Sequence, residues 1–209
     1  MSDLQRTPVV PLEAGAGPEN PPCPACGEPL FGWLATQLGF DAPVSRCESC
    51  GLGVVGAGPE PAEVLRELDR LASDGGLRIA NRASFAASIG SAGWAGLEPG
   101  DRYLFTLESV RRLVARRDQV VKSRRWAPLA GLASTWQTLL NSVTFGHNVA
   151  LGAFGRAGAV KAPRPWQRNI DALATVVLAI PAFAIALPIE LAGGLVGRGA
   201  VMTLKLELL

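Results

Sequence analysis

Two Cys-x-x-Cys pairs, each followed by glycine, constrain this chain more than any other feature of its sequence. Two residues between the sulfurs let both thiolates face one ion, and the glycine permits the tight turn that follows. About twenty residues separate the pairs, within the spacing typical of a four-cysteine zinc site. Four thiolates fill the tetrahedral shell of zinc and leave no position for a reacting water. The sequence therefore predicts one structural zinc ion bound by Cys23, Cys26, Cys47 and Cys50.

The sequence of this region allows two other interpretations. The cysteines could form two unrelated pairs of buried or redox-active thiols, although a redox site needs only one such motif. The residues before them are rich in proline, glycine and acids and contain no apolar signal segment, which favours the reducing cytosol. The motif Gly51-Leu52-Gly53-Val54-Val55-Gly56 matches a dinucleotide fingerprint, but it follows a cysteine turn and does not join a strand to a helix. We predict no cofactor there.

Composition indicates a folded chain with an accessory module. The 209 residues are 48% hydrophobic with a formal net charge of +2, which gives no general attraction to nucleic acid. The arginine-rich stretch 111–125 is typical of a solvated helix face, with contact to phosphate or lipid headgroups as the alternative. His147 is the single histidine, and its place between Gly146 and Asn148 indicates a helix end rather than a catalyst. We assign no catalytic residue.

Hydrophobic periodicity predicts an α+β fold. Helices are predicted over Pro59–Ser73, from Thr106 as an N-cap residue, over 133–156 with an interruption near Gly146-His147, and over 165–196 with interruptions at Pro181 and Pro188. Strands are predicted over Leu77–Ala80, Gln119–Lys122 and Val201–Leu208, and a loop through Ile89, Trp94 and Pro99. The predicted organisation is a flexible arm at 1–20, a zinc ribbon at 21–56, and a third part at 57–209 with inserted apolar helices at about 133–196.

The order of elements from Gly76 to the C-terminus carries a resemblance. The residues that carry it are Gly76-Leu77-Arg78-Ile79-Ala80-Asn81 with Ser84, Trp94, Arg102-Tyr103-Leu104-Phe105-Thr106 before Val110-Arg111-Arg112-Leu113, Trp136-Gln137, Leu140-Asn141, Asn148 and Arg198-Gly199. Together with the four cysteines, this order resembles bacterial class I S-adenosylmethionine-dependent methyltransferases that begin with a zinc ribbon. The resemblance implies that the last strand lies between the strands at 77–80 and 119–122.

The cofactor-binding half of that family has no counterpart here. Its first four strands and their helices need on the order of a hundred residues, whereas the chain between Gly58 and Leu77 has room for one helix. The resemblance therefore implies a truncated, noncatalytic domain with Leu77–Ala80 as an open sheet edge. Open edges pair readily with other strands, so we expect the arm, a second copy or a different protein to cover this one.

An uncharged segment of about eighteen residues, Ala172–Ile189, approaches the ~20 residues needed to span a bilayer. A single span would separate the strands at 119–122 and 201–208, which the resemblance pairs, so we disfavour it. The two prolines instead permit a bent or re-entrant helix pair in one leaflet, with Trp166 at the interface. Lys161, Arg164 and Arg168 would then face anionic headgroups. The alternative is burial of the segment in the core or in an oligomer.

These patterns lead to one functional expectation and two alternatives. We expect a noncatalytic, methyltransferase-like zinc-ribbon protein, cytoplasmic and peripheral to the inner face of the cell membrane, that acts as a binding or scaffold subunit. The first alternative is a methyltransferase subunit whose partner supplies the cofactor half. The second is a nucleic-acid-binding module formed by the ribbon and the arginine-rich helix.

Overall fold

The computed structural model describes residues 20–34, 42–56, 60–73, 76–98, 100–155 and 158–209. Of the predicted arm at 1–20, only Asn20 falls within these ranges, so the prediction for the arm lies outside the described residues. The fold is α+β, as predicted, with two antiparallel four-stranded sheets and a layer of helices.

The first sheet carries the cysteines. Its strands are β1 (Leu30–Leu34), β2 (Val44–Cys47) and β3 (Gly53–Val55), which pair in sequence order. A fourth strand, β6 (Tyr103–Leu104), adds to β3 from beyond the predicted ribbon range of 21–56. The G-x-G-x-x-G motif thus contains a strand paired on both sides and does not form a turn into a helix.

The second sheet contains β4 (Ala72–Ser73), β5 (Gly76–Ala80), β7 (Gln119–Trp126) and β8 (Val201–Leu208). Their order is β4-β5-β8-β7, so the last strand lies between β5 and β7. This is the order of those three strands that the resemblance implies. Strand β7 is longer than the predicted Gln119–Lys122 because its pairing with β8 continues to Trp126.

The prediction that Leu77–Ala80 is an open edge needs correction. Leu77 pairs with Ala72, and Gly76 pairs with Ser73, so β4 covers the beginning of β5. Among the described residues, only 78–80 have no strand partner on that side. The reason is local. Ala72 and Ser73, directly after α1, are extended and pair with Leu77 and Gly76. The helical periodicity predicted these two residues as the end of the helix.

Helices α1 (Pro61–Leu71) and α3 (Leu107–Ala115) confirm two predictions. Their apolar stripes share one hydrophobic core with the cysteines and with the inner faces of β5 and β8. The predicted loop through Ile89 is partly wrong, since α2 (Phe85–Gly90) and a 3₁₀ turn (Ser91–Gly93) occupy it. The hydroxyl of Ser84 caps α2 by accepting from the backbone N–H of Ala87. A serine at this position is an N-cap signal in the sequence, and the prediction of a loop overlooked it.

Three helices connect β7 to β8: α4 (Pro128–Asn141), α5 (Val149–Ala153) and α6 (Pro165–Leu195). The predicted interruptions at Pro181 and Pro188 are wrong, because α6 continues through both residues. Proline removes one backbone hydrogen bond but does not end a helix that neighbouring structure supports. Here α6 packs along α4, and the Trp136 indole of α4 donates to the carbonyl of Ala179 at 2.9 Å.

Candidate metal centre and exposed apolar helix

The two cysteine turns are built in the same way. The backbone N–H of Gly27 donates to the carbonyl of Cys23, and that of Gly51 to Cys47. Both glycines have positive φ, at 84° and 74°, a conformation that a side chain disfavours. At Gly51 a Cβ atom would also lie 2.8 Å from the side chain of Thr106, so this turn fits closely against the start of α3.

The turns bring all four predicted ligands together. Their Sγ atoms lie within 4.8 Å of one another, with 3.6 Å between Cys23 and Cys50 and 3.4 Å between Cys26 and Cys47. Four sulfurs at about 2.3 Å from a tetrahedral zinc ion would be about 3.8 Å apart. The donor set and its spacing therefore fit a metal ion of this kind, and these four thiols form a possible metal site.

Contacts between sulfurs, together with burial, shift the pKa values of Cys23, Cys26 and Cys50. The hydrogen bond from Cys50 lowers the pKa of Cys23 to about 5, although burial acts in the opposite direction. The same contact raises the pKa of Cys50, and burial adds to it. Burial also raises the pKa of Cys26. A divalent cation among the four sulfurs would favour the thiolate form at each of them, because thiolate is the ligand form.

Helix α3 ties this site to the rest of the molecule. The Thr106 hydroxyl donates to the carbonyl of Cys50 at 2.6 Å and accepts from the backbone N–H of Ser109, so one side chain caps α3 and holds a cysteine turn. Arg116 at the other end of α3 donates to the carbonyl of Ala25 at 3.3 Å. Three of the four cysteines are buried, and Cys26 is partly exposed. A metal bound here would join the two cysteine turns, each of which α3 contacts through a hydrogen bond.

His147 takes part in a buried polar network. Its Nδ1 lies 3.3 Å from Asn141 Nδ2, and Asn141 also contacts Asn148 and the carbonyl of Gly93. Burial lowers the pKa of His147. The network joins the end of α4 to the residues before α5 and to the turn at 91–93. Asn141 and Asn148, two polar residues that carry the resemblance, therefore have structural contacts here.

Residues 78–80 of β5, which β4 does not pair with, border two cavities of about 260 and 310 Å³. Both are lined by Arg78, Ile79, Ala80, Gly96 and Glu98. Asp101 lines the first, and burial raises the pKa of its carboxyl group to about 7. Within the described residues, positions 78–80 have no strand partner on this side, although the Ile79 side chain is buried.

Helix α6 is the second candidate site, and its exposure could not be read from the sequence. Within the described residues, it is the one helix long and apolar enough to cross a bilayer, and 6% of its most apolar 18-residue stretch is buried. Its most exposed apolar side chains are Val176 at 76%, Ile180 at 81% and Leu195 at 87%. An exposed apolar surface of this extent is typical of a protein or membrane interaction site.

Comparison with family models, with curated proteins and with solved structures found no match to this chain. The resemblance to zinc-ribbon methyltransferases accordingly stays a prediction from the sequence.

Proposed function

We propose that this chain is a noncatalytic binding subunit that works at the inner face of the cytoplasmic membrane and is held together by one structural zinc ion. The observation that carries the proposal is the exposed apolar surface of α6, which the fold leaves uncovered along most of the helix. A soluble protein seldom exposes so large an apolar surface without a binding function for it. Zinc would hold the two cysteine turns of the ribbon together and would take no part in chemistry.

Co-sedimentation with lipid vesicles tests the proposal. The purified protein is expected to sediment with vesicles of equimolar phosphatidylcholine and phosphatidylglycerol. The double variant Val176→Asp/Ile180→Asp should bind at least about a hundred-fold more weakly, because burial of each such side chain contributes about 1.5–3 kcal/mol. Both side chains are exposed in the folded chain, so the variant should keep its circular dichroism spectrum.

The matched control is Leu208→Asp, which changes an apolar side chain that is 71% exposed at the far end of β8. This variant should bind vesicles like the unchanged protein. Cell fractionation with a carbonate wash supplies an independent readout, since a peripheral protein is released by the wash. Recovery of the protein in the soluble fraction before any wash, together with no vesicle binding, would refute the membrane role.

A second candidate function is that of a methyltransferase subunit whose partner supplies the cofactor half. The placement of β8 between β5 and β7 favours it, because that order is the one the resemblance implies. Equilibrium dialysis with S-adenosylmethionine separates the two candidates. Saturable binding by the isolated chain would overturn the noncatalytic proposal, and binding only by a co-purified complex would favour the subunit role.

A further inference from the structure

Helix α6 has two acidic residues, and the fold turns both of them inward. Asp171 is 1% exposed, and its carboxylate accepts from the backbone N–H groups of Phe145 and Gly146 at 2.7 and 2.9 Å. Glu190 is 3% exposed and accepts from the Trp126 indole at 2.7 Å. Both carboxylates are satisfied inside the protein, so neither places a negative charge on the outer surface of the helix.

The outer surface presents an apolar stripe in which Asn169 is the exposed polar residue. At 100° per residue, its members fall within about 40° of one line along the helix. These exposed residues are Trp166, Leu173, Val177, Ile180, Leu187, Leu191 and Leu195. The helix has 31 residues, which corresponds to a length of about 46 Å. The stripe runs over nearly all of it and begins with a tryptophan, the residue type enriched at membrane interfaces.

Basic side chains stand at both ends of this stripe. Lys161, Arg164 and Arg168 are exposed at the N-terminal end of α6. At the C-terminal end, Arg198 is exposed just after the helix, and the Arg124 guanidinium donates to the carbonyl of Gly197. No ion pair with a carboxylate involves these five residues within the described part of the chain. Arg168 and Arg198 donate to the backbone carbonyls of Ala162 and Ala83, but no carboxylate of this part of the chain neutralises the five charges.

The segment before α6 is fastened to the globular body. Asn148 donates to the carbonyl of Ala95 at 3.0 Å, and Asn141 donates to that of Gly93 at 2.9 Å. Ala95 in turn donates its backbone N–H to the hydroxyl of Thr138 in α4. At its other end, α6 leads directly into β8. Both ends of the helix thus belong to one packed unit, and a bilayer between them would break these contacts.

From these observations we propose that α6 lies flat in the interface of an anionic phospholipid membrane, without crossing it, with the basic residues at its two ends on lipid phosphates. This inference rests on the proposed membrane role and adds the lipid chemistry and the orientation. A single continuous helix takes the place of the bent pair expected from the sequence. Such a helix buries its apolar side about 5–10 Å below the headgroups.

A second copy of the chain is a poorer occupant of the same surface. In a parallel helix pair the two basic N-terminal ends would meet, and in an antiparallel pair a basic end would meet the basic C-terminal end of the other helix. Like charges oppose association in both arrangements, and the helix has no exposed acid to compensate. An anionic membrane surface, in contrast, attracts both ends at once.

Binding measurements test the lipid chemistry. The protein is expected to bind phosphatidylglycerol vesicles well and pure phosphatidylcholine vesicles poorly. The variant Lys161→Gln/Arg164→Gln should weaken binding to the anionic vesicles roughly 20- to 30-fold, since each basic residue near such a surface contributes about 1 kcal/mol. The matched control, Arg66→Gln/Arg111→Gln, removes two exposed charges from α1 and α3, which pack on the ribbon core, and should leave binding unchanged.

Depth measurements test the orientation. A nitroxide is placed separately at Leu173→Cys, Ile180→Cys and Leu191→Cys, with the unchanged protein as the control for reaction at its own cysteines. A flat helix gives three similar, shallow depths, whereas a spanning helix places Ile180 deepest. No binding to any vesicle would refute the proposed membrane role itself. Equal binding to neutral vesicles, an unaffected glutamine variant, a deep Ile180, or dimers that remain with lipid present would each overturn this inference while leaving other binding roles open.

Discussion

Single residues decide how the apolar helix is attached. Besides the Trp126 indole, Glu190 accepts from the hydroxyl of Thr135 at 2.8 Å and from the backbone N–H of Ala200 at 3.0 Å. Gly131 makes room for this carboxylate, because a Cβ atom at that position would collide with it. One buried acid thereby connects α4, α6 and the end of β7, and two of its donors, the Thr135 hydroxyl and the Ala200 N–H, are themselves buried.

We expect Glu190→Gln to lower the free energy of unfolding by about 2–3 kcal/mol. The amide NH₂ group would face donors, so at least one buried hydrogen bond would be lost and its partner left unsatisfied. Urea denaturation followed by tryptophan fluorescence measures the change. Glu207→Gln is the matched control, because Glu207 pairs with Lys122 at the surface and its loss should change stability by less than about 1 kcal/mol. Equal effects of the two variants would contradict this role of Glu190.

At the scale of the elements, α3 connects the ribbon sheet to the second sheet. Its N-cap Thr106 holds the Cys50 turn, and its apolar face packs on the core that includes β5 and β8. The capping box is complete, since the Ser109 hydroxyl accepts from the backbone N–H of Thr106 at 2.9 Å. The helix end and the metal site are therefore one structural unit.

The substitution Thr106→Val should lower the free energy of unfolding by about 2 kcal/mol, since it removes the cap of α3 and leaves the buried Cys50 carbonyl without its donor. It should also weaken zinc retention against a competing chelator, which thermal unfolding and metal analysis measure together. Ser142→Ala, which removes an exposed hydroxyl near the end of α4, is the control and should change stability by about 0.5 kcal/mol or less. Unaltered zinc retention in Thr106→Val would contradict the expectation that the N-cap of α3 stabilises the metal site.

For the molecule as a whole, the ribbon is not an appendage. Three of its cysteines, together with Leu52 and Val54, lie in the same buried cluster as Val110 and Leu204 from the rest of the chain. The ribbon sheet also takes its fourth strand from residues 103–104. Because this core is continuous, loss of a metal bound by the cysteines should lower the stability of the structure beyond the cysteine turns.

Removal of the proposed zinc ion by a strong chelator is accordingly expected to lower the melting temperature by more than about 10 °C in a single transition. Tryptophan fluorescence, which includes Trp126 and Trp136 at the helical layer, should change together with the far-ultraviolet circular dichroism. The quadruple replacement of the cysteines by serine should reproduce the chelated state. A melting curve in which the helical layer keeps its native signal after chelation would show that the ribbon folds separately.

The sequence by itself determined the local features of this protein. Two cysteine pairs with glycine behind them predicted four ligands that the structure brings within 4.8 Å, because a spacing of two residues fixes the direction of both sulfurs in one turn. Periodicity likewise predicted α1, α3 and β8, and Thr106 predicted the start of α3. Such signals depend on the conformation of a few consecutive residues.

Only the tertiary structure decided which surfaces are covered. The composition of Ala172–Ile189 is equally typical of a core helix and a membrane-bound one, and the structure leaves it largely exposed because α4 covers one side alone. Asp171 and Glu190 look like polar borders in the sequence, yet they point inward. Asp171 binds the backbone at Gly146, 25 residues away, and Glu190 accepts from Thr135 and Trp126, which lie 55 and 64 residues away. Period and composition fix local conformation, whereas burial depends on distant parts of the chain, and no local pattern records which of them will meet.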